Sequence, residues 1–220
     1  MTIGRPRFEA VCFDFDSTLS RLEGIDELAA RAGVENEIAP LTAAAMDGSI
    51  PIDKVYGRRL DIVRPGREDI SWLAERYLGE MVPGAVATID TLQRANVAVY
   101  IVSGGIRGAI LPFAERCNIA SDHVFAVEIR FDGQGNYLDF DRVSPLTMPD
   151  GKAVICRQLS CRHAALALVG DGVTDLQARF GGACVVGFGG VVSRDAVYRG
   201  ADHFAAGPNL SDTLEFLFET

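Results

Sequence analysis

Two aspartates separated by one residue follow a short apolar segment near the start of the chain. Residues 10–13, Ala-Val-Cys-Phe, are typical of a buried strand in a parallel sheet, and Asp14 and Asp16 come directly after them. Residues two apart on a strand share a face, so both carboxylates can act on one small molecule at the sheet edge where open α/β folds bind ligands. The spacing suits a nucleophile beside a proton donor or a metal ligand.

The same Asp-x-Asp pattern also occurs in turns and helix caps, since Asp favours both. A calcium-binding loop is excluded, because Leu19 stands where that loop needs glycine and Ile25 where it needs its closing glutamate. The pattern alone therefore leaves a turn and a reaction centre open.

Polar residues also follow the second apolar segment, residues 97–102. Ser103, Gly104 and Gly105 stand there and open a predicted helix. A hydroxyl beside exposed backbone N–H groups at a helix start can bind an anion. The alternative is an ordinary serine helix cap followed by a glycine turn.

A third apolar segment, residues 165–169, is followed by Gly-Asp-Gly, with Asp171 between the glycines and Asp175 four residues later. Asp175 also suits a plain helix cap. Four carboxylates at one sheet edge would repel each other unless a cation sat among them, and oxygen donors without His or Cys favour Mg²⁺. Lys152 lies between these motifs; a lone lysine is usually a surface charge, but its position suits a phosphate site.

A parallel sheet is needed to bring these strand ends together. Helical periodicity between residues 25 and 78, interrupted by prolines, predicts an insertion of about four helices after the first strand. From residue 85 onward, strands and helices alternate, which predicts a doubly wound, Rossmann-like parallel sheet of the α/β class. Further segments are predicted as a β-hairpin (124–131 with 137–140), strands (183–186 and 201–204) and helices (85–94, 106–116, 151–159, 173–180, 191–199 and 210–219).

Composition narrows the class of protein. The chain has 220 residues, 48% of them hydrophobic, and a formal net charge of −9. The acidic balance makes a nucleic-acid partner unexpected, and no apolar run approaches the ~20 residues of a membrane span or forms a signal-peptide core, so a cytoplasmic protein is predicted. The five cysteines form no Cys-x-x-Cys pair and are expected to be buried thiols. The oligomeric state, a homodimer included, stays open.

Together these motifs resemble a known signature. Residues 14–18, Ser103, Lys152 and the segment 170–175 look like the four motifs of the haloacid dehalogenase (HAD) superfamily of phosphotransferases, in the right order and spacing. The four-helix insertion is similar to the small cap of one branch of that superfamily. The resemblance implies a catalytic core formed by residues 1–17 and 81–220, with a helical cap at 18–80.

Within that branch, four stretches resemble phosphoserine phosphatases: residues 23–29, 45–51, 58–60 and 186–192. The chain departs from many bacterial members at Thr174, where they carry Asn. This resemblance implies an enzyme, a Mg²⁺-dependent phosphomonoesterase that releases L-serine and phosphate from O-phospho-L-serine, the last step of serine biosynthesis.

The resemblance also implies a role for each motif. Asp14 would attack phosphorus to form an aspartyl-phosphate, and Asp16 would act as acid and then base. Mg²⁺ would be held by Asp14, the Asp16 carbonyl and Asp171, with Asp175 supporting from behind. The remaining core residues implied to bind the phosphoryl group are Ser103, Gly104, Gly105, Lys152 and Thr174.

The cap would select the substrate. Arg59 would pair with the serine carboxylate, Glu23 would receive the ammonium, and Met46 would line the pocket. Without the resemblance, Arg59 and Glu23 read as charges on a solvated helix face. Three alternatives remain: a phosphatase for another small phosphomonoester, a phosphotransferase to another alcohol, and a non-catalytic protein that binds a phosphometabolite.

Overall fold

The structure is a computed structural model that describes residues 4–46 and 48–219, without the side chain of Met46. Its strands are β1 (Ala10–Phe13), β2 (Ala98–Ile106), β3 (Val124–Val127), β4 (Ile129–Phe131), β5 (Tyr137–Phe140), β6 (Leu166–Gly170), β7 (Ala183–Phe188) and β8 (His203–Ala205). Its α-helices are α1 (Gly24–Ala32), α2 (Glu35–Met46), α3 (Ile52–Val63), α4 (Arg67–Gly79), α5 (Ala85–Arg94), α6 (Arg107–Arg116), α7 (Gly151–Ser160), α8 (Val173–Leu176), α9 (Asp195–Gly200) and α10 (Leu214–Leu217).

Six parallel strands form the main sheet, in the order β3-β2-β1-β6-β7-β8. This order confirms the predicted doubly wound, Rossmann-like sheet. Every residue of β1 is buried, as expected for a central strand covered on both faces. Phe13, the last residue of β1, pairs with Ile101 of β2 and Val169 of β6. The motifs after these three strands therefore meet at one edge of the sheet.

Phe15 anchors the segment that leaves β1. Its ring is fully buried and makes edge contacts with Tyr77 of α4 and Phe113 of α6, at centroid distances of 4.6 and 5.0 Å. Such aromatic pairs contribute about 0.5–1.5 kcal/mol each beyond the burial of apolar area. The packing fixes the backbone between Asp14 and Asp16, so both carboxylates leave a rigid turn.

Helices α1 to α4 lie between β1 and β2 in the chain, as the periodicity predicted. The two connecting segments run antiparallel, with a bridge between Ser20 and Met81 and a hydrogen bond from Val82 N to Leu19 O of 2.9 Å. Helix α4 packs against α6, which keeps the inserted helices beside the sheet edge.

Some predicted elements are wrong in extent. The segment 124–131 is not one arm of a hairpin: β3 pairs in parallel with β2, whereas β4 pairs antiparallel with β5. The helix predicted at 173–180 shortens to α8, followed by a 3₁₀ turn, and the one predicted at 191–199 begins only at Asp195. The last predicted helix, 210–219, divides into a 3₁₀ turn and α10.

The prediction that the cysteines are buried is correct for three of the five. All five cysteines are free; Cys12, Cys117 and Cys156 are buried as expected, whereas Cys161 is exposed and Cys184 half-buried. Within residues 4–46 and 48–219, no helix is long and apolar enough to cross a bilayer.

Candidate active site

Asp14 belongs to a chain of three buried charges. Its backbone N–H donates to Val169 O at 2.9 Å, which extends the β1–β6 pairing by one residue. Its Oδ1 accepts a hydrogen bond from Phe15 N at 2.7 Å, and its Oδ2 lies 2.7 Å from Lys152 Nζ. The same ammonium lies 2.5 Å from Asp175 Oδ1. The first and third strand motifs are thus joined by one lysine.

Lys152 is a buried cation and not a surface charge. Burial lowers the pKa of its ammonium, but the carboxylates of Asp14 and Asp175 outweigh that effect and raise the pKa overall. The side chain is only 6% exposed, so its charge acts in a medium that screens it weakly. A fixed positive charge beside Asp14 suits a phosphoryl group.

Three carboxylates at the sheet edge could hold a metal ion. One oxygen from each of Asp14, Asp171 and Asp175 lies within 4.8 Å of the others. Asp175 is already engaged, because its second oxygen accepts from Gly172 N at 2.8 Å and its first contacts Lys152. Asp14 and Asp171 also have partners at both oxygens, and the hard oxygen donors of all three carboxylates fit a small divalent cation.

A glycine makes room for this arrangement. A Cβ on Gly170 would lie 2.2 Å from Asp175 Cγ, so no larger residue fits at the end of β6 without displacing the carboxylate. Asp171, the next residue, accepts a hydrogen bond from Thr18 Oγ1 at 3.1 Å and contacts the guanidinium of Arg194. Thr18 and Arg194 thereby orient the carboxylate.

Asp16 is less buried than Asp14, Asp171 and Asp175 and is held by two hydrogen-bond donors. Its Oδ1 accepts hydrogen bonds from Tyr77 Oη at 2.7 Å and Gly24 N at 3.2 Å. Desolvation raises its pKa to about 7, opposed by the bond from Tyr77 and assisted by the negative charge of Asp14. A carboxyl group that is partly protonated near neutral pH can act as a general acid and later as a base.

Ser103 lies inside a strand, so the prediction that it opens a helix is wrong. Strand β2 continues through Gly104 and Gly105 to Ile106, and α6 begins only at Arg107. The Ser103 hydroxyl accepts a hydrogen bond from Gly105 N at 3.0 Å instead of capping a helix. Both glycines still line a cavity between the strand ends and the inserted helices.

One cavity lies between the strand ends and the inserted helices. Its apolar wall includes Ile52, Leu60, Leu73, Leu146 and Met148. It is also lined by most of the predicted site residues, namely Asp14, Asp16, Glu23, Arg59, Ser103, Gly104, Gly105, Lys152 and Thr174. Asp171 and Asp175 lie buried behind it, and the side chain of Met46 lies outside the described residues.

Glu23 and Arg59 line the cavity and have no charged partner among the residues that the structure describes. Glu23 Oε1 accepts a hydrogen bond from Ser17 Oγ at 2.7 Å, and Arg59 Nη1 donates to Thr42 Oγ1 at 3.3 Å. Among the described residues, neither side chain forms an ion pair, and the buried Nε of Arg59 has no hydrogen-bond partner. Desolvation and the nearby charge of Asp16 raise the pKa of Glu23 to about 8.

Comparison with known proteins assigns this arrangement to a family. A family model for the haloacid dehalogenase-like hydrolases matches residues 11–178, which include all four motifs. The chain belongs to this family. It is an enzyme of the hydrolase type, and the HAD fold expected from the sequence motifs is confirmed.

Named relatives of this HAD hydrolase are phosphoserine phosphatases. The human (Homo sapiens) phosphoserine phosphatase is 35% identical over 213 residues, covering 96% of this chain and 92% of that protein. A substrate-bound structure of phosphoserine phosphatase matches with a TM-score of 0.84, and a phospho-aspartyl intermediate analogue of phosphoserine phosphatase with 0.83. Both are 25% identical to this HAD hydrolase, and each match covers 95% of this chain and 98% of the other. The closer resemblance found in the sequence is confirmed.

The sequence pattern did not single out three side chains at the site of this HAD hydrolase. Tyr56 of α3 lines the cavity and donates to Gly104 O at 2.8 Å, Tyr77 donates to Asp16, and Arg194 contacts Asp171. Both tyrosines belong to the apolar stripes of their helices, so helical periodicity assigns them to the core. Arg194 follows β7 in a loop, where a lone arginine has no recognisable pattern.

Proposed function

We propose that this HAD hydrolase converts O-phospho-L-serine to L-serine and phosphate. The observation that carries the proposal is that a basic and an acidic side chain, Arg59 and Glu23, line the same cavity as Asp14 and form no ion pair among the described residues. The amino-acid end of phosphoserine offers a carboxylate and an ammonium, which complement these two groups, while its phosphate would face Asp14. The names of the relatives support the same substrate.

The reaction would run in two steps on the chain's own carboxylates. Asp14 would form a bond to phosphorus as the bond from phosphorus to the seryl oxygen breaks, and Asp16 would give its proton to that oxygen. Asp16 would then accept a proton from the water that hydrolyses the aspartyl-phosphate and frees Asp14. The pKa of about 7 for Asp16 suits both directions of transfer.

A divalent cation, Mg²⁺ by its oxygen donors, would be held by Asp14, the Asp16 carbonyl and Asp171. When bound, it would neutralise negative charge on the phosphoryl oxygens. Asp175 would keep Lys152 in place behind these ligands, since the ammonium lies between Asp175 and Asp14.

The phosphoryl oxygens would be held by core residues, and the rest of the substrate by the helices. Ser103, the backbone of Gly104 and Gly105, Lys152 and Thr174, all of which line the cavity, would bind the phosphate. We assign residues 18–80 to a cap domain and residues 1–17 and 81–220 to the catalytic core. The antiparallel pairing of Ser20 with Met81 supports a boundary at that place.

The deciding experiment is a phosphate-release screen of small phosphomonoesters, with Mg²⁺ and then with EDTA. We expect phosphoserine to be the best substrate and EDTA to abolish its turnover until Mg²⁺ is restored. A better substrate without the amino-acid end would point to another phosphatase. Transfer of phosphate to an added alcohol would indicate a phosphotransferase, and binding without any turnover a phosphometabolite-binding protein. Its place in serine biosynthesis and a cytoplasmic location remain predictions.

A further inference from the structure

Asp16 is held by two donors that come from different inserted helices. Tyr77 of α4 is fully buried and donates from Oη to Asp16 Oδ1 at 2.7 Å. The backbone N–H of Gly24, the first residue of α1, donates to the same oxygen at 3.2 Å. A hydrogen bond to a carboxylate is stronger than one between neutral groups, and two of them fix the rotation of the side chain.

The second oxygen of Asp16 faces the phosphate end of the cavity. Asp16 Oδ2 lies 3.3 Å from the point that a Cβ on Gly105 would occupy, and Ser103 Oγ lies 3.2 Å from that point. The two oxygens of Asp16 therefore have different surroundings. Oδ1 is occupied by Tyr77 and Gly24, whereas Oδ2 points to the residues that would surround the phosphoryl group.

We propose that Tyr77 is a positioning residue for the reaction, which with Gly24 N–H orients Asp16 so that Oδ2 alone exchanges the proton with the seryl oxygen. This inference rests on the proposed function, since it assigns the oxygen that serves the acid and base steps. Core packing explains the ring of Tyr77, through its contact with Phe15, but a phenylalanine would pack as well. The hydroxyl is the part that needs a function.

Gly24 is matched to that hydroxyl. A Cβ on Gly24 would lie 1.9 Å from Tyr77 Oη, so only glycine lets the hydroxyl reach Asp16 beside the backbone N–H. Gly24→Ala consequently displaces the hydroxyl without changing the tyrosine. This offers a second, independent way to disturb the same hydrogen bond.

The first test is Tyr77→Phe, which keeps the ring and removes the donor. We expect kcat for phosphoserine to fall by about 10-fold or more while KM changes by less than about 2-fold, because proton transfer and not binding is disturbed. The burst rate of leaving-group release should fall less for p-nitrophenyl phosphate, since a good leaving group needs little protonation. The matched control is Tyr100→Phe, which removes a buried hydroxyl that bonds to His163 Nε2 at 2.9 Å away from the cavity and should leave kcat unchanged.

The second test combines both changes. If the hydroxyl acts through Asp16, Gly24→Ala should lower kcat in the wild type and cost less in the Tyr77→Phe background, where the closest atom, Tyr77 Oη, is absent and only the ring carbon at 3.0 Å and Leu73 Cδ2 at 3.2 Å remain close to the new Cβ. Equal losses in the two backgrounds, or a Tyr77→Phe variant with wild-type kcat, would overturn the inference. A wild type inactive on phosphoserine would instead refute the proposed function. A fall in melting temperature equal to that of Tyr100→Phe, with kcat and KM unchanged, would leave Tyr77 a core residue.

Discussion

The strand ends and the inserted helices differ in whether their buried ionisable side chains have charged partners. At the strand ends, buried charges are paired within the protein: Lys152 lies between Asp14 and Asp175, and Arg194 contacts Asp171. On the helix side, Glu23 and Arg59 form no ion pair within the described part of the chain: each bonds to a hydroxyl, and the Arg59 guanidinium also lies over the Tyr56 ring at 5.8 Å. Buried charges that already have partners inside the protein suit the part that binds the phosphate of any substrate. Charges left without counter-ions suit the part that a particular ligand completes.

Burial shifts pKa values in both regions, since desolvation also raises the pKa of Asp175 at the strand ends. At the strand ends, the paired lysine has a raised pKa despite its burial. On the helix side, desolvation raises the pKa of Glu23 to about 8 and lowers that of Arg59, so burial acts against both charged forms. The inserted helices thus carry an unfavourable electrostatic free energy that a zwitterionic ligand would relieve.

The largest effect is expected from Asp14→Asn, which removes one of the paired carboxylates at the strand ends. An amide is a poor nucleophile and a weak metal ligand, so kcat should fall by ~10³-fold or more. Lys152 keeps Asp175 as its partner, so the fold should survive, as circular dichroism and melting would show. Asp90→Asn, on the surface of α5, is the control for the same chemical change. More than a tenth of wild-type kcat in Asp14→Asn would exclude Asp14 as the nucleophile.

A smaller loss is expected from Asp16→Asn. Removal of the proton donor should slow phosphoserine turnover by ~10²–10⁴-fold. An aryl phosphate has a better leaving group, so its single-turnover phosphorylation should lose less. Equal losses for the two substrates would show that Asp16 does not protonate the leaving group.

The candidate site residues at the strand ends were also easier to predict from sequence than those on the inserted helices. Asp14, Asp16, Asp171 and Lys152 follow or lie between short apolar strands, and parallel topology brings such positions to one edge. Ser103 was predicted at the right edge but in the wrong element, because its two glycines suggested the end of a strand whereas β2 runs through them.

No comparable topological rule identifies site residues on the inserted helices. Arg59 and Glu23 were found through resemblance alone, because a charged residue on an amphipathic helix reads as solvated. Tyr77 was missed because it shares the apolar stripe of α4 with Leu73 and Ala74, and periodicity reports burial and not the direction of a hydroxyl. Contacts between distant helices decide which buried polar atom meets the site.

Arg59→Ala tests whether the inserted helices bind the carboxylate of the substrate. The loss of one buried charge that pairs with the ligand costs about 2–5 kcal/mol, so kcat/KM for phosphoserine should fall by ~30-fold or more. Phosphoethanolamine has no carboxylate and should be affected little. Arg58→Ala, the exposed neighbour on α3, is the matched control. If the ratio of kcat/KM values for the two substrates does not fall in Arg59→Ala, Arg59 does not read the carboxylate.

The smallest effect concerns the stability of the ligand-free, metal-free protein. With a pKa of about 8 in the folded state and 4.5 as the ordinary value, Glu23 holds a proton between these pH values that the unfolded chain releases. The folded state therefore binds more protons, and the free energy of unfolding should decrease as pH rises from about 5 to 8. The Glu23 side chain is half-buried, so its share is about 1–3 kcal/mol.

Glu23→Gln removes this titration while keeping the shape of the protonated carboxyl group. Urea unfolding in EDTA should give similar free energies for wild type and variant near pH 5, and a more stable variant near pH 8.5. Asp16, with its own raised pKa, contributes a slope of the same sign to both proteins, and the difference between them reports Glu23 together with its interaction with Asp16. Glu75→Gln, an exposed change on α4, controls for the altered net charge. A wild-type minus variant difference that stays constant from pH 5 to 8.5 would mean that Glu23 is solvated and ionised in the free protein, so that the ligand's ammonium would relieve no cost of burial there.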